Sequence, residues 1–244
     1  MNDRSWTPGV ALVAVALAAA WVPGAIAQQA KQLSLETPTG LRLNNITAVP
    51  ATLQGQKGLR VNVSDETIGR LKSMTPEEQA RQEFLAVVEG LEFGNGTIEA
   101  EIAGEPSKAA GEGARGFVGI AFRVQPDMRT YDCFYLRPTN GRADDQERRN
   151  HAAQYTSHPD WPWFRLRKES PSKYESYVDL QPGMWTKVKI EVNGDRARLY
   201  VHGQEQPTLV VNDVKTGAQA KGGVALFIDP STVAHFRNLS VQPK

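Results

Sequence analysis

Apolar and polar residues alternate without a break on both sides of Asn193-Gly194. Val188, Ile190 and Val192 lead in against Lys187, Lys189 and Glu191, and Ala197, Leu199 and Val201 lead out against Arg196, Arg198 and Tyr200. An Asn-Gly pair supplies the positive-φ residues of a tight hairpin turn, and period two puts the apolar side chains of both strands on one face. Such a face needs a second apolar layer to cover it. The same period recurs at Leu59, Val61 and Val63 after a turn at Gly55–Gly58, and nearly so at Leu41, Leu43, Ile46 and Ala48. It returns at Ile98, Ala100 and Ile102, and at Val118, Ile120, Phe122 and Val124, whose opposite face carries Gly119, Ala121 and Arg123. Short, turn-punctuated strands of this kind predict an all-β fold, a two-sheet antiparallel β-sandwich. One short helix is expected, with Thr75 as N-cap, Pro76 at its first position and Glu77 and Glu78 in its first turn. The alternation also predicts that Phe122, Phe134 and Leu136 fill the space between the sheets, with Arg123, Tyr135 and Arg137 on the opposite side.

The single cysteine, Cys133, allows no internal disulfide, so the core itself must supply the stability. At the N-terminus, Arg4 precedes an apolar run from Gly9 to Val22, broken by Pro23-Gly24 and followed by Ala25-Ile26-Ala27. This reads as a signal peptide over residues 1–27, cleaved after Ala27, leaving residues 28–244 as one domain that is periplasmic or secreted. No later stretch is apolar over a membrane's width. A formal net charge of +1 gives nucleic acid or an anionic membrane surface no electrostatic hold. Nothing in the sequence specifies an oligomeric state.

The stretch from Tyr131 to Leu180 least resembles scaffold. Its aromatic faces stand beside Arg, Asn, Gln and Asp side chains, the combination that stacks on a sugar ring and hydrogen-bonds its hydroxyls. The candidate ligand-binding residues are Arg123, Tyr135, Arg137, Asn140, Arg142, His151, Gln154, Tyr155, Trp161, Trp163 and Arg165. Pro162 fixes the backbone between the tryptophans, and in an extended segment Trp161 and Trp163 point the same way. The competing reading is a long loop folded over a sheet edge, with its tryptophans as plugs. Candidate catalytic groups are Glu99 and Glu101, two acids on one strand face, and His151. His151 and His158 lie seven apart without a further ligand at zinc spacing, so no transition-metal site is expected. Calcium is the alternative, with Asp144-Asp145 or Asp229 as oxygen ligands, although no Asp-x-Asp-x-Asp pattern accompanies them. No Gly-x-Ser-x-Gly occurs. Cys133 is either a packed thiol or a floor residue of a binding face.

Trp185-x-x-Val188-x-Ile190-x-Val192-Asn193-Gly194, then Tyr200 to Gly203, Gly222 to Phe227 and Phe236-x-Asn238-Leu239-x-Val241, resembles the C-terminal half of concanavalin A-like (laminin G-like) jelly rolls. Gly119 to Arg123 followed by Tyr131 to Tyr135 is similar to the secreted bacterial 3-keto-disaccharide hydrolase-like domains. The resemblance spans Leu41 to Val241 and implies two curved sheets, a long loop over the concave face, and a carbohydrate held there without a cofactor. Two departures stand out. The β-glucanase members carry Glu-x-Asp-x-x-Glu on one strand, whereas here Glu99-x-Glu101 has no third acid before Glu105. The family's Tyr-Glu-x-Gln stretch is replaced by Tyr131-Asp132-Cys133, with Gln154 well downstream as the matching Gln. Three functions follow: a glycan-recognition module, a glycoside hydrolase acting on a keto-sugar disaccharide or related glycoside, or a structural or protein-interaction sandwich. Two carboxyls, or a carboxyl and a histidine, converging in the cleft below Trp161 and Trp163 would favour the enzyme.

Overall fold

The computed structural model describes Met1, residues 30–79 and residues 81–244, so all but the first residue of the expected signal segment lies outside the described residues. The strands are β1 (Lys31–Leu33), β2 (Leu41–Asn44), β3 (Ile46–Leu53), β4 (Gln56–Val63), β5 (Leu85–Val88), β6 (Gly96–Pro106), β7 (Val118–Val124) and β8 (Tyr131–Leu136). They continue with β9 (Ala153–His158), β10 (Glu175–Ser176), β11 (Thr186–Asn193), β12 (Arg196–Val201), β13 (Leu209–Val211), β14 (Gly223–Ile228) and β15 (Thr232–Pro243). One sheet runs β13-β12-β11-β6-β15-β4-β3, with β1 also on β15; the other runs β10-β9-β8-β7-β14-β5-β2. All-β and antiparallel, the two-layer sandwich is the expected one.

The inner faces meet in one large core. Val61, Ile98, Ile102, Val188, Ile190, Leu199 and Phe236 come from the first sheet; Ala86, Ile120, Phe122, Phe134, Leu136, Tyr155 and Leu226 come from the second. Phe122, Phe134 and Leu136 therefore lie between the sheets, as the alternation predicts. The Asn193-Gly194 hairpin also forms in the expected register, Asn193 pairing with Arg196 and Val188 with Val201.

Arg123 breaks the pattern. Its backbone is left-handed, at φ 55°, and the β7–β14 register shifts between Gly223 and Val224. A bulge of this kind reverses the alternation beyond it. Val124, expected in the inner face, instead joins the cluster on the outer face of the second sheet, with Leu85, Val87, Ala121, Tyr131, Cys133, Tyr135, Ala225 and Phe227. Arg123 is wholly buried and donates to the carbonyls of Gly94, Gly194 and Gly217 at 2.7–3.0 Å. It does not share a cleft with Tyr135 and Arg137.

Two further expectations shift. The β3–β4 turn is made by Gln54 and Gly55, both at positive φ, while Gln56 and Lys57 already belong to β4. Helices are more numerous than the one expected. The helix begun by Thr75 is short, α2 (Pro76–Gln79), with Thr75 and Glu78 in a reciprocal capping box. Ahead of it lies α1 (Asp65–Lys72), capped by the Ser64 side chain; later come α3 (Gln146–Asn150), capped by Asp145, and α4 (Trp163–Glu169). Helix α4 begins at Trp163, so the two tryptophans do not lie on one extended segment.

Candidate functional site

The outer face of the second sheet is apolar where a solvated sheet face would be polar, and a pocket of about 420 Å³ opens over it. Tyr135 on β8 and Phe227 on β14 form its floor, their ring centroids 5.4 Å apart. Phe117, stacked on Tyr135 at 5.1 Å, makes one wall; Trp163 and Phe164, at the start of α4, make another. Trp163 is 38% exposed and Phe164 60%, which leaves two aromatic faces open to a ligand.

One wall is ionisable. His158 ends β9 directly across the ladder from Tyr131, and the two rings stack at 4.8 Å. Glu83, on the segment entering β5, lies with Oε1 3.2 Å from His158 Nδ1, while Tyr131 donates its hydroxyl to Oε2. Burial, then the Glu83 charge, push the Tyr131 hydroxyl well above its ordinary pKa, so it remains a donor. The side chains of Asn44 and Asn45 both donate to the Glu83 carbonyl at 2.9 Å, fixing the backbone that carries the acid. A carboxylate on one imidazole nitrogen fixes the tautomer and leaves the other nitrogen as a base.

Behind the aromatic wall sits a buried ionic cluster. Arg137 is 3% exposed and donates to the Tyr135 hydroxyl and Gln154 Oε1, both at 3.0 Å, to the His151 carbonyl at 2.8 Å and to Glu175 Oε1 at 3.2 Å. Its guanidinium lies 5.1 Å from the ring centroids of Phe117 and Tyr135 and 5.7 Å from Trp163. Arg167 also binds Glu175, and His151 Nδ1 lies 3.0 Å from it. Burial disfavours the Glu175 charge, but Arg167, Arg137 and His151 outweigh it and hold the carboxyl below its ordinary range. For His151 burial prevails over Glu175 and lowers the pKa, favouring the neutral ring. The cluster fixes the rings of the pocket from behind; its charges are spent on one another.

Residues 44–242 match the model of a family described as the 3-keto-alpha-glucoside-1,2-lyase-like domain. The chain belongs to this family. No curated protein matches it. Among solved structures, the cellulose induced protein Cip1 is 10% identical, with a TM-score of 0.52 over 88% of this chain and 97% of that one, and it shares the sandwich. A carbohydrate binding module, CBM66, from Bacillus subtilis is 13% identical over 82% of this chain and 97% of that one, with a TM-score of 0.48. A putative glycosyl hydrolase from Parabacteroides distasonis is 12% identical over 87% and 94%, with a TM-score of 0.47.

For a 3-keto-alpha-glucoside-1,2-lyase-like domain, the residues singled out in the sequence fall into three groups. Tyr135 and Trp163 line the pocket; Arg137, Gln154 and His151 stand behind it, and Asn140 is buried, donating to the His151 carbonyl. Others point elsewhere. Tyr155 lies in the inter-sheet core, one residue out of phase with Gln154, and its hydroxyl donates to Asp132 at 2.6 Å. Trp161 packs against that core, with Arg165 3.9 Å and Lys215 4.8 Å from its ring centroid. Arg142 is paired with Asp179 on the surface. Glu99 and Glu101 lie on the outer face of the opposite sheet, where Arg237 and Asn238 bind Glu101, so they cannot act in this pocket. Cys133 is buried in the floor cluster, and burial raises its thiol pKa well above the ordinary value. Asp145 is used as a helix cap, and Asp229, at the pocket rim, accepts from the Ser231 backbone and hydroxyl. Among the described residues no group of three His, Cys, Asp or Glu side chains could hold a metal, and no helix is long and apolar enough to cross a membrane. The sequence reading missed Glu83, Tyr131, His158, Phe117 and Phe227. Tyr131 alone left a signal, two steps from Cys133 and four from Tyr135 on one strand face.

Proposed function

We propose that this chain binds a glycoside in the pocket over Tyr135 and Phe227 and cleaves it by base-initiated elimination, the reaction its family's description names. One observation carries the proposal: Glu83 and His158, 3.2 Å apart, converge on a pocket walled by aromatic rings. A ketone at sugar carbon 3 makes the hydrogen on carbon 2 acidic, because the resulting carbanion is delocalised onto the carbonyl oxygen. With Nδ1–H donated to Glu83, His158 Nε2 takes that proton. The electron pair of the C–H bond forms the double bond between carbons 1 and 2, the bond from carbon 1 to the leaving oxygen breaks, and that oxygen takes a proton from the imidazolium. Glu83 stabilises the imidazolium while it exists. The Trp163 and Phe164 faces hold the ring by stacking.

A purified preparation given a 3-keto-α-glucoside distinguishes the outcomes. Elimination yields a conjugated enone with near-ultraviolet absorbance; hydrolysis yields the keto-sugar without it. Replacing His158 by Gln is expected to lower kcat by a factor of about 10² or more while the Kd changes less than about twofold. Tight binding without turnover by the wild-type protein would make the pocket a recognition site, and absence of binding would remove it from consideration altogether.

A further inference from the structure

Glu83 stands in a wall with two sides. On the far side from the aromatic pocket lies a second one, of about 350 Å³, to which Asn44, Asn45, Glu78, Arg81, Asp127 and Arg129 contribute; Gln82 and Glu83 line both. We propose, resting on the elimination reading above, that this second pocket is the subsite for the departing part of the glycoside. It takes a neutral, polyhydroxylated leaving group, and Arg81 and Arg129 set that preference.

Position is the first argument. In an elimination the proton removed and the bond broken are on adjacent carbons, so the base must stand where the retained ring ends and the leaving group begins. Glu83, which orients the base, is where the two pockets meet. Chemical contrast is the second. The near pocket is lined by Phe84, Phe117, Tyr135, Trp163, Phe164 and Phe227, whereas none of the described residues lining the far one is aromatic or aliphatic, so an aryl group meets no ring among them to stack on. Charge is the third. The two arginines share the lining with the acids Glu78 and Asp127, which leaves no excess positive charge to draw an anion.

The charged donors of this pocket are the arginines. Asp127 is committed to its own turn, accepting from the backbone of Arg129 and Thr130 and from the Thr130 hydroxyl at 2.8–2.9 Å. The amides of Asn44 and Asn45 each give one N–H to the Glu83 carbonyl. Among the described residues, neither the Arg81 nor the Arg129 guanidinium meets an acceptor. A planar guanidinium offers paired N–H groups at the spacing of two neighbouring oxygens, which suits vicinal hydroxyls.

The test uses two 3-keto-α-glucosides that share the keto ring, one with a glucosyl and one with a 4-nitrophenyl leaving group. The selectivity of the wild-type protein, the ratio of kcat/KM for the sugar over the aryl compound, is expected to fall about tenfold in Arg81→Ala and in Arg129→Ala, because a hydrogen-bonded hydroxyl is discriminated by such factors. Equal losses on both compounds, or none on either, would overturn the subsite. Titrating the same two compounds calorimetrically into His158→Gln, with and without each arginine change, separates this from failure of the elimination reading. Should the wild-type protein bind but not turn over, the subsite still predicts weakened affinity for the sugar compound above all, and unchanged relative affinities would sink it.

Discussion

Trp161 and Trp163 sit two residues apart, and α4 begins between them. That turn sends one indole onto the inter-sheet core, between Arg165 and Lys215, and leaves the other 38% exposed beside the pocket. Trp163→Ala is therefore expected to weaken glycoside binding about five- to tenfold with little change in Tm, since a stacked ring is worth on the order of 1 kcal/mol beyond area burial. Trp161→Ala should do the reverse, costing about 2–4 kcal/mol of stability with affinity retained. Titration calorimetry beside thermal melts reads both. Asp213 supplies a second residue-scale prediction. Its burial opposes ionisation, but Lys173, Tyr174 and Lys215 all donate to it and lower its pKa to about 2. A carboxyl depressed from the ordinary 3.8 stabilises the fold above about pH 4, and that contribution disappears as pH falls through about 2. Urea unfolding should show Asp213→Asn less stable than wild type at pH 7, with the gap closing between pH 4 and pH 2. Tyr135 and Trp163 were legible because a polar neighbourhood marks an aromatic ring as a stacking surface, whereas Phe117 and Phe227 read as ordinary core residues. Glu83 and His158 were not: the pair is 75 residues apart, and only the β8–β9 ladder and the entry to β5 bring it together.

Among the elements, β7 and β8 decide the pocket floor. Gly119 lies opposite Tyr135, and a Cβ at Gly119 would come within 2.2 Å of the Phe134 carbonyl and 2.5 Å of Tyr135 Cβ. Backbone is in the way, and no rotamer relieves it. Gly119→Ala is expected to cost about 1–3 kcal/mol, or more if the strands separate, and to displace Tyr135 from under the pocket. Lowered Tm together with lost binding is the expected pair of readings; a lowered Tm with intact affinity would show that Tyr135 does not form the floor for the ligand. The parity of β8 was readable from the sequence, since Tyr131, Cys133 and Tyr135 alternate against Phe134 and Leu136. The parity of β7 was readable only as far as Phe122. One left-handed residue, Arg123, turned the remainder over, and no pattern of apolar residues encodes a bulge whose cause is an arginine tied to three distant glycine carbonyls. Ser64-Asp65-Glu66 did carry a readable helix start for α1, as strong as the one at Thr75.

At the scale of the whole molecule, period-two alternation was enough to foretell two antiparallel layers, and too little to foretell the order of strands within them. The first sheet's order depends on pairings between distant parts of the chain. β15, the last strand in sequence, lies between β6 and β4 and also carries β1; it pairs Phe236 with Ile102 on one side and with Leu59 on the other. A protein ending before Thr232 would have two unpaired edges in the middle of that sheet and an uncovered core, and it is expected to lose its cooperative melt and its near-ultraviolet circular dichroism altogether, whereas loss of β13 at the sheet's end should only lower the Tm. Contacts so far apart in sequence are slow to form, on the order of milliseconds to seconds for sheet proteins of this kind. The strand that locks the sandwich is also the last of the described strands to leave the ribosome. While the ribosome still holds Thr232 to Pro243, β6 and β4 lack the strand that joins them, so the nascent protein keeps two strand edges exposed in the middle of that sheet until β15 emerges.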